Sequence, residues 1–142
     1  MYPVQCRVLK TKTMLLQINT LEEIETQAKE IDDYLNITCS ENPEECVDRG
    51  LDLMAYLART SKMLADAKYH QDQAVQNSIV AQLKLEISAS ILKKLIESTC
   101  KRENYLVNWV DRLNSTIVHQ LDFIRTVISK AKAERFATRN IG

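Results

Sequence analysis

Turn-forming residues are almost missing from this chain of 142 residues, which contains two glycines and two prolines. Between Glu44 and Ile141 there is no proline, and Gly50 is the only glycine. Sandwiches and barrels of β-strands need many tight turns, so this scarcity excludes them, together with collagen-like and linker-rich chains. Because 45% of the residues are apolar, with charges interspersed among them, we expect a folded, all-α protein. No apolar run approaches the roughly 18 residues of a membrane-spanning helix.

The first helix is predicted to begin after Thr20 and to fray by Thr38. Thr20 and Glu23 form a capping box, in which each side chain accepts a hydrogen bond from the backbone amide of the other residue. An apolar stripe then follows at spacings of three and four residues, which is typical of one helical face. Its members are Leu21, Ile24, Ala28, Ile31 and Leu35. Residues 1–19 are predicted to form an N-terminal arm, and residues 20–142 a single all-α domain.

A second, long helix is predicted to begin at Asn42-Pro43 and to run to about residue 86. Asparagine is favoured at the N-cap and proline at the first helical position, and the acids that follow suit the positive end of the helix dipole. Ser88-Ala89-Ser90 is the best place for a break, because serine is a poor interior residue and a good cap. A short connecting helix and a second long helix are expected to follow.

The apolar spacings predict how the two long helices pack. In the second helix the inward stripe is predicted at Val47, Leu51, Met54, Leu57, Leu64 and Ala67. In the last helix it is predicted at Leu106, Val110, Leu113, Ile117, Leu121, Ile124, Ile128 and Ala131. These intervals indicate coiled-coil-like packing in an elongated antiparallel hairpin or bundle. An elongated hairpin has a large surface for its volume, and such proteins commonly bury apolar area against another copy. We therefore expect a homo-oligomer.

The four cysteines and two histidines do not form the close pairs of a zinc site, so four reduced thiols are expected and no resident cofactor is predicted. The N-terminus lacks the apolar core and cleavage site of a signal peptide. A cytoplasmic location, in a host or bacterial cell, is therefore the expectation.

The net charge of the chain is zero, but its acidic and basic residues are strongly separated along the sequence. The arm is basic, residues 19–48 carry ten acids and one base, and residues 49–142 carry fifteen bases and nine acids. The basic excess is densest near the end of the last helix, at Arg125, Lys130, Lys132, Arg135 and Arg139. With the aromatic residues Trp109, Phe123 and Phe136 in the same helix, this segment is a candidate for binding a nucleic-acid backbone. Alternatively, the bases complement the helix dipole and the aromatics belong to the core.

One enzymatic hypothesis rests on two acidic pairs. Glu22 and Glu25 lie three residues apart in the first helix, and Glu45 and Asp48 lie three apart in the second. This pattern resembles the Mg²⁺ site of all-α nucleoside triphosphate pyrophosphohydrolases, where four carboxylates converge to bind the metal and activate water. Acids in the first turn of a helix also serve as caps, which is the alternative interpretation.

Two stretches, Tyr56–His70 and Tyr105–Arg135, resemble small helical proteins of gut Bacteroidales and their phages or mobile elements. More distantly, residues 44–136 resemble the recombination mediator family of T-even phages. The shared features are a lysine-rich long helix, a later helix that starts with aromatics and tryptophan, and a basic helical C-terminus. This resemblance implies an oligomeric, single-stranded-DNA-binding accessory protein that works with recombination proteins. It implies phosphate contacts at Arg59, Lys62, Lys68, Lys130, Lys132 and Arg135.

Three functions are therefore open. The first is a non-catalytic, self-associating accessory protein that binds single-stranded DNA in recombination. The second is a pyrophosphohydrolase that uses the acidic quartet and Mg²⁺. The third is a helical structural or adaptor protein that binds no nucleic acid.

Overall fold

The structure is a computed structural model that describes residues 17–82 and 88–141, and in these ranges it contains four helices and no strand. They are α1 (Leu21–Leu35), α2 (Pro43–Gln82), α3 (Ala89–Thr99) and α4 (Lys101–Arg139). The all-α prediction with two long helices is confirmed. Residues 1–16 of the predicted arm and the predicted end of the second helix near residue 86 lie outside the described residues. None of the described helices is long and apolar enough to cross a membrane.

The helix starts follow the predicted local signals. The Thr20 side chain accepts a hydrogen bond from the backbone amide of Glu23, and the Glu23 carboxylate accepts one from the amide of Thr20 at 2.9 Å. Asn42 precedes Pro43 and Glu44 follows it. Asn42 Oδ1 accepts a hydrogen bond from the backbone amide of Glu44 at 3.1 Å. Ser88 occupies the N-cap position of α3 but makes no side-chain capping bond. Capping groups satisfy amides that the helix itself leaves without acceptors.

The two long helices lie antiparallel and make the most extensive contact in the molecule. Gln71 Nε2 donates to Asn104 Oδ1 at 2.7 Å, and Asn114 Nδ2 donates to Thr60 Oγ1 at 2.9 Å. Further along, Gly50 lies against Ile124. Each long helix spans roughly 60 Å, so the predicted elongated hairpin is observed.

α1 packs across the first half of this hairpin and completes a three-helix section. It runs antiparallel to α2, since Arg59 contacts Glu30 while Arg49 contacts the residues that end α1. It runs parallel to α4, where Arg102 reaches the start of α1 and Gln120 reaches its end. The predicted stripe of α1 is confirmed, because Ile24, Ala28, Ile31 and Leu35 are buried.

The predicted core face of α4 is also confirmed, with Leu106, Val110, Leu113, Ile117 and Ile124 buried. The predicted face of α2 is wrong in its first half. Val47, Leu51 and Met54 are 48%, 63% and 62% exposed, whereas Cys46, Leu53, Thr60 and Met63 are buried. α1 and α4 cover a neighbouring face of α2, which carries smaller and more polar residues than the predicted stripe.

Replacing Gly50 with alanine should stabilise the protein by about 0.5–1 kcal/mol, because glycine is a poor residue in a helix interior. An added Cβ would lie 3.7 Å from Ile124 Cγ2, an ordinary van der Waals distance, so α4 need not move. Urea unfolding of both proteins measures the difference. A lower midpoint for Gly50→Ala would mean that the two helices need a closer approach than this distance.

Candidate nucleic-acid interface

The last turns of α4 project beyond the other helices that the structure describes. Ala131 lies level with Pro43, the first residue of α2, and both line the same surface hollows. α4 continues to Arg139, which is eight residues or about 12 Å further. Residues 132–140 are all exposed. We call residues 130–139 the basic end of α4.

The sequence explains why this projecting segment stays helical. Ala131, Ala133 and Ala137 are interspersed with Lys, Arg and Glu, all of which have high helix propensity. Arg139 lies in the last turn, where a cation complements the negative end of the helix dipole.

The basic end carries four bases, Lys130, Lys132, Arg135 and Arg139, against the single acid Glu134. The spacing of Lys132, Arg135 and Arg139 places them on one face of the helix, and Lys130 lies on another face with Glu134. In the described part of the chain none of the four bases forms an ion pair. Phe136 lies between them and is 69% exposed. The predicted basic cluster is therefore accessible to an anion.

A surface hollow of about 310 Å³ lies where the basic face meets the start of α2. Val47, Ile128 and Ala131 form its apolar part, and Lys132 and Arg135 lie at its edge. Glu44 also lines it and supplies the one negative charge. The hollow can bind the apolar part of a ligand whose anionic part contacts the two bases.

Arg125, Arg59 and Lys62 are already engaged by acids. Arg125 lies 3.6 Å from Asp122, and Arg59 lies 3.5 Å from Glu30. Lys62 Nζ donates to Asp66 at 2.6 Å and to the carbonyl of Gln17 at 3.0 Å. These pairs reduce the positive charge available to phosphate.

Lys68 is exposed. It lies six residues after Lys62, which places it on a different face of α2. Along the hairpin it is roughly 40 Å from Lys132. The structure therefore does not join the eight predicted bases into one surface, but it does bring Lys132, Arg135 and Arg139 together.

The aromatic residues named with the basic cluster are also separated. Trp109 lies thirty residues before Arg139, about 45 Å along α4, and pairs with Tyr105 at 5.9 Å between ring centroids. Phe123 is 43% exposed and lines a different hollow with Pro43 and Lys130. Only Phe136 belongs to the basic end itself.

The four predicted Mg²⁺ ligands do not converge. Glu22 and Glu25 lie in the first turns of α1, and Glu45 and Asp48 lie at the start of α2, beside the other end of α1. Because α1 and α2 are antiparallel, the first turns of these helices lie about 20 Å apart. Across residues 17–82 and 88–141, no three His, Cys, Asp or Glu side chains are placed to hold a metal ion. The pyrophosphohydrolase hypothesis required these four carboxylates to converge on one metal ion, and their separation removes its support.

Glu22 and Glu25 instead bind Arg102 at the start of α4. Arg102 Nε donates to Glu25 at 2.8 Å, and Arg102 Nη1 lies 3.3 Å from Glu22. The hydrogen bond from Arg102 lowers the pKa of Glu25. A backbone hydrogen bond, assisted by the same guanidinium, lowers the pKa of Glu22. The acidic pair thus joins α1 to α4.

A polar cluster that the sequence analysis missed lies at the end of α1. Arg49 Nη2 donates to the carbonyl of Ile37 and to Gln120 Oε1, both at 2.9 Å, and Gln120 Nε2 donates to the carbonyl of Leu35 at 3.0 Å. The guanidinium also lies 4.8 Å from the centroid of the Tyr34 ring. We call Tyr34, Arg49 and Gln120 the α1 terminal cluster. The only sequence signal for it is a base in a strongly acidic region.

Cys46 lies close to this cluster, and its thiol donates to the carbonyl of Ser40 at 3.0 Å. Burial raises the pKa of the Cys46 thiol, and the neighbouring Cys39 raises it further. A raised thiol pKa lowers the thiolate fraction and hence the reactivity. Cys46 therefore has the character of a structural cysteine.

No protein-family model, curated protein or solved structure matches the chain.

Proposed function

We propose that this protein is a non-catalytic accessory protein that binds the phosphate backbone of nucleic acid through the basic end of α4. The observation that carries this proposal is the projection of Lys132, Arg135 and Arg139 beyond the bundle, on one exposed face and without acidic partners in the described chain. Lysine and arginine bind phosphate through charge and release counterions, which gives affinity without dependence on sequence.

Single-stranded DNA is the nucleic acid that this end suits best. Phe136 is 69% exposed among the bases, and an exposed aromatic ring can stack on an unpaired base. In a duplex the bases are already stacked on each other, so Phe136 would have no comparable contact. The resemblance to recombination mediators favours the same ligand and a role beside recombination proteins.

The proposal is tested with a variant in which Lys132, Arg135 and Arg139 are all replaced by glutamine. Fluorescence anisotropy with labelled oligo(dT) at 50 and 300 mM salt should show binding by the wild type that weakens with salt. Each lost phosphate contact should reduce the slope of log K against log salt by about 0.7 for a single strand. The triple variant should therefore show a slope smaller by about 2 and binding at least tenfold weaker at 50 mM salt.

The matched control replaces Lys93, Lys94 and Lys101 with glutamine, since these bases are exposed on α3 and at the start of α4. The control changes the net charge by the same amount but leaves the basic end intact. Equal weakening in the two variants would mean that only net charge matters and would contradict a site at the basic end. If the wild type does not bind at 50 mM salt, the helical adaptor without nucleic acid becomes the better function.

A further inference from the structure

The outer side of α2 carries an apolar stripe that the described fold leaves open to solvent. Val47, Leu51 and Met54 are 48%, 63% and 62% exposed, and Ala55 and Ala58 beside them are exposed as well. Spacings of three and four residues place these side chains on one helical face. We call this set the outer stripe. Contiguous exposed apolar residues can form an interaction surface.

The outer stripe is distinct from the face of α2 that forms the core. The buried residues Cys46, Leu53 and Thr60 are spaced by seven and face the other helices of the bundle. In the same segment, Leu53 lies in the core and Leu57 packs against it, whereas the large apolar side chains of the outer stripe do not. Leu51 and Met54 are therefore more exposed than residues of their type usually are.

The charges along α2 indicate which surface fits the outer stripe. Residues 43–57 contain four acids and one base, and residues 58–70 contain three bases and one acid. α2 is thus negative over residues 43–57 and weakly positive over residues 58–70, where Glu30 of α1 pairs with Arg59 and Asp66 pairs with Lys62. The charges of a second copy of α2 are complementary to those of the first only when the two helices run in opposite directions.

We propose that two copies of this protein pair through the outer stripes of their α2 helices, in antiparallel orientation, about a twofold axis between Met54 and Ala55. A twofold axis makes the same surface serve both subunits. Leu51 then faces Ala58 of the second copy. The small side chains of Ala55 and Ala58 allow the two helices to approach closely.

The ends of the stripe also match in this arrangement. Glu44 lies opposite Ala65 of the second copy, within one helical turn of Lys62. Lys62 already contacts Asp66, and Lys68 is exposed. A parallel pair would instead place the acidic halves against each other, and like charges across an interface disfavour the wrong orientation. This proposal does not depend on nucleic-acid binding.

The first test measures the mass of the protein by size-exclusion chromatography with light scattering. The wild type should give about twice the chain mass of 16.3 kDa. Leu51→Glu combined with Met54→Glu should give the chain mass, with the dissociation constant raised at least a hundredfold. Circular dichroism confirms that the variant is folded, since both side chains are exposed. Ile91→Glu is the control, because Ile91 is 51% exposed on α3 and should leave the dimer intact.

The second test measures the direction of pairing with single introduced cysteines. Ala55→Cys lies next to the proposed axis, so mild oxidation should give a covalent dimer on non-reducing gels. Val47→Cys lies about 22 Å along α2 from its copy in the second subunit, so it should not cross-link. Wild-type protein oxidised in parallel controls for the native cysteines.

Three outcomes would overturn the proposal. One is a wild type that has the chain mass at every concentration tested. Another is a dimer that survives the double glutamate substitution. The third is cross-linking of Val47→Cys as efficient as that of Ala55→Cys, which indicates a parallel pair.

Discussion

Arg49→Met should lower the free energy of unfolding by about 3 kcal/mol, a large effect for a residue that is only half-buried. Methionine retains much of the length and apolar surface of arginine but cannot donate a hydrogen bond. The carbonyl of Ile37 would lose its side-chain donor, and Gln120 Oε1 would keep only the longer contact from the Cys39 thiol at 3.7 Å. Urea unfolding followed by circular dichroism measures the loss.

The large effect of Arg49→Met is expected because Arg49 binds the C-terminal end of α1. The last carbonyls of α1 have no partner within the helix. Gln120 donates to the carbonyl of Leu35 at 3.0 Å, and Arg49 donates to that of Tyr34 at 3.5 Å as well as to Ile37 just beyond the helix. The cation also complements the negative end of the α1 dipole. Arg49 Nε is buried without a hydrogen-bond partner among the described residues, and its removal offsets part of the loss.

Arg59→Met is the matched control, because Arg59 forms one exposed ion pair with Glu30 at 3.5 Å. Such pairs contribute about 0–1 kcal/mol, so the control should stay close to the wild type. A double-mutant cycle with Gln120→Ala should give a coupling energy of at least about 0.5 kcal/mol between Arg49 and Gln120. Equal losses for Arg49→Met and Arg59→Met would show that the α1 terminal cluster contributes no more than a surface pair.

Leu53→Ala should destabilise the protein by about 3 kcal/mol or more, within the range of about 2–5 kcal/mol for buried leucines. Leu53 is 0% exposed and belongs to the core cluster that all three packed helices share. Removing its terminal carbons loses their transfer free energy and leaves a cavity that long, constrained helices fill poorly. Chemical unfolding gives the difference directly.

Leu51→Ala supplies a control of the same residue type, two positions away and 63% exposed. At a dilution where the chain is monomeric, this change should alter stability by no more than about 0.5 kcal/mol. If Leu51→Ala costs as much as Leu53→Ala under those conditions, the core face of α2 has been assigned to the wrong side.

The sequence predicts the helix starts well, because their signals are local. Thr20 with Glu23 and Asn42 with Pro43 each specify a cap within a few residues, and both caps form. The core face of α4 is predicted equally well, since most of its large aliphatic residues occupy one face and polar residues predominate on the rest. Local order of this kind needs no knowledge of the partner helices.

The core face of α2 could not be predicted in this way, because its first half is apolar on two sides. Leu51 and Met54 give a stronger apolar signal than Cys46 and Thr60, yet the weaker side is buried. The positions of α1 and α4 decide between the two sides, and a single helix sequence does not contain that information.

The candidate site likewise has features that are local in the sequence, which could be predicted, and features that depend on contacts between helices, which could not. The cluster of Lys132, Arg135 and Arg139 is visible in the sequence, because three bases at helical spacing share a face. The ion pair between Arg59 and Glu30 joins two different helices, so the sequence alone could not reveal it. The separation of the acidic quartet has the same origin, since it follows from the antiparallel direction of α1 and α2.

The hydrogen bond from Asn114 to Thr60 has a consequence for how the hairpin folds. Thr60 is fully buried between apolar neighbours, with Leu53 seven residues before it and Ala67 seven residues after it. If α4 slid along α2 by one heptad, the Asn114 amide would meet one of these apolar side chains and lose its acceptor. Asn114 is half-buried and also donates to Ser61 Oγ at 3.3 Å, so the shift would cost about 0.5–1.5 kcal/mol for each hydrogen bond lost, whereas the apolar contacts would change little. Together with the bonds from Gln71 to Asn104 and from Arg49 to Gln120, this polar pair therefore favours one alignment of two long, repetitive helices over others that would bury similar apolar area.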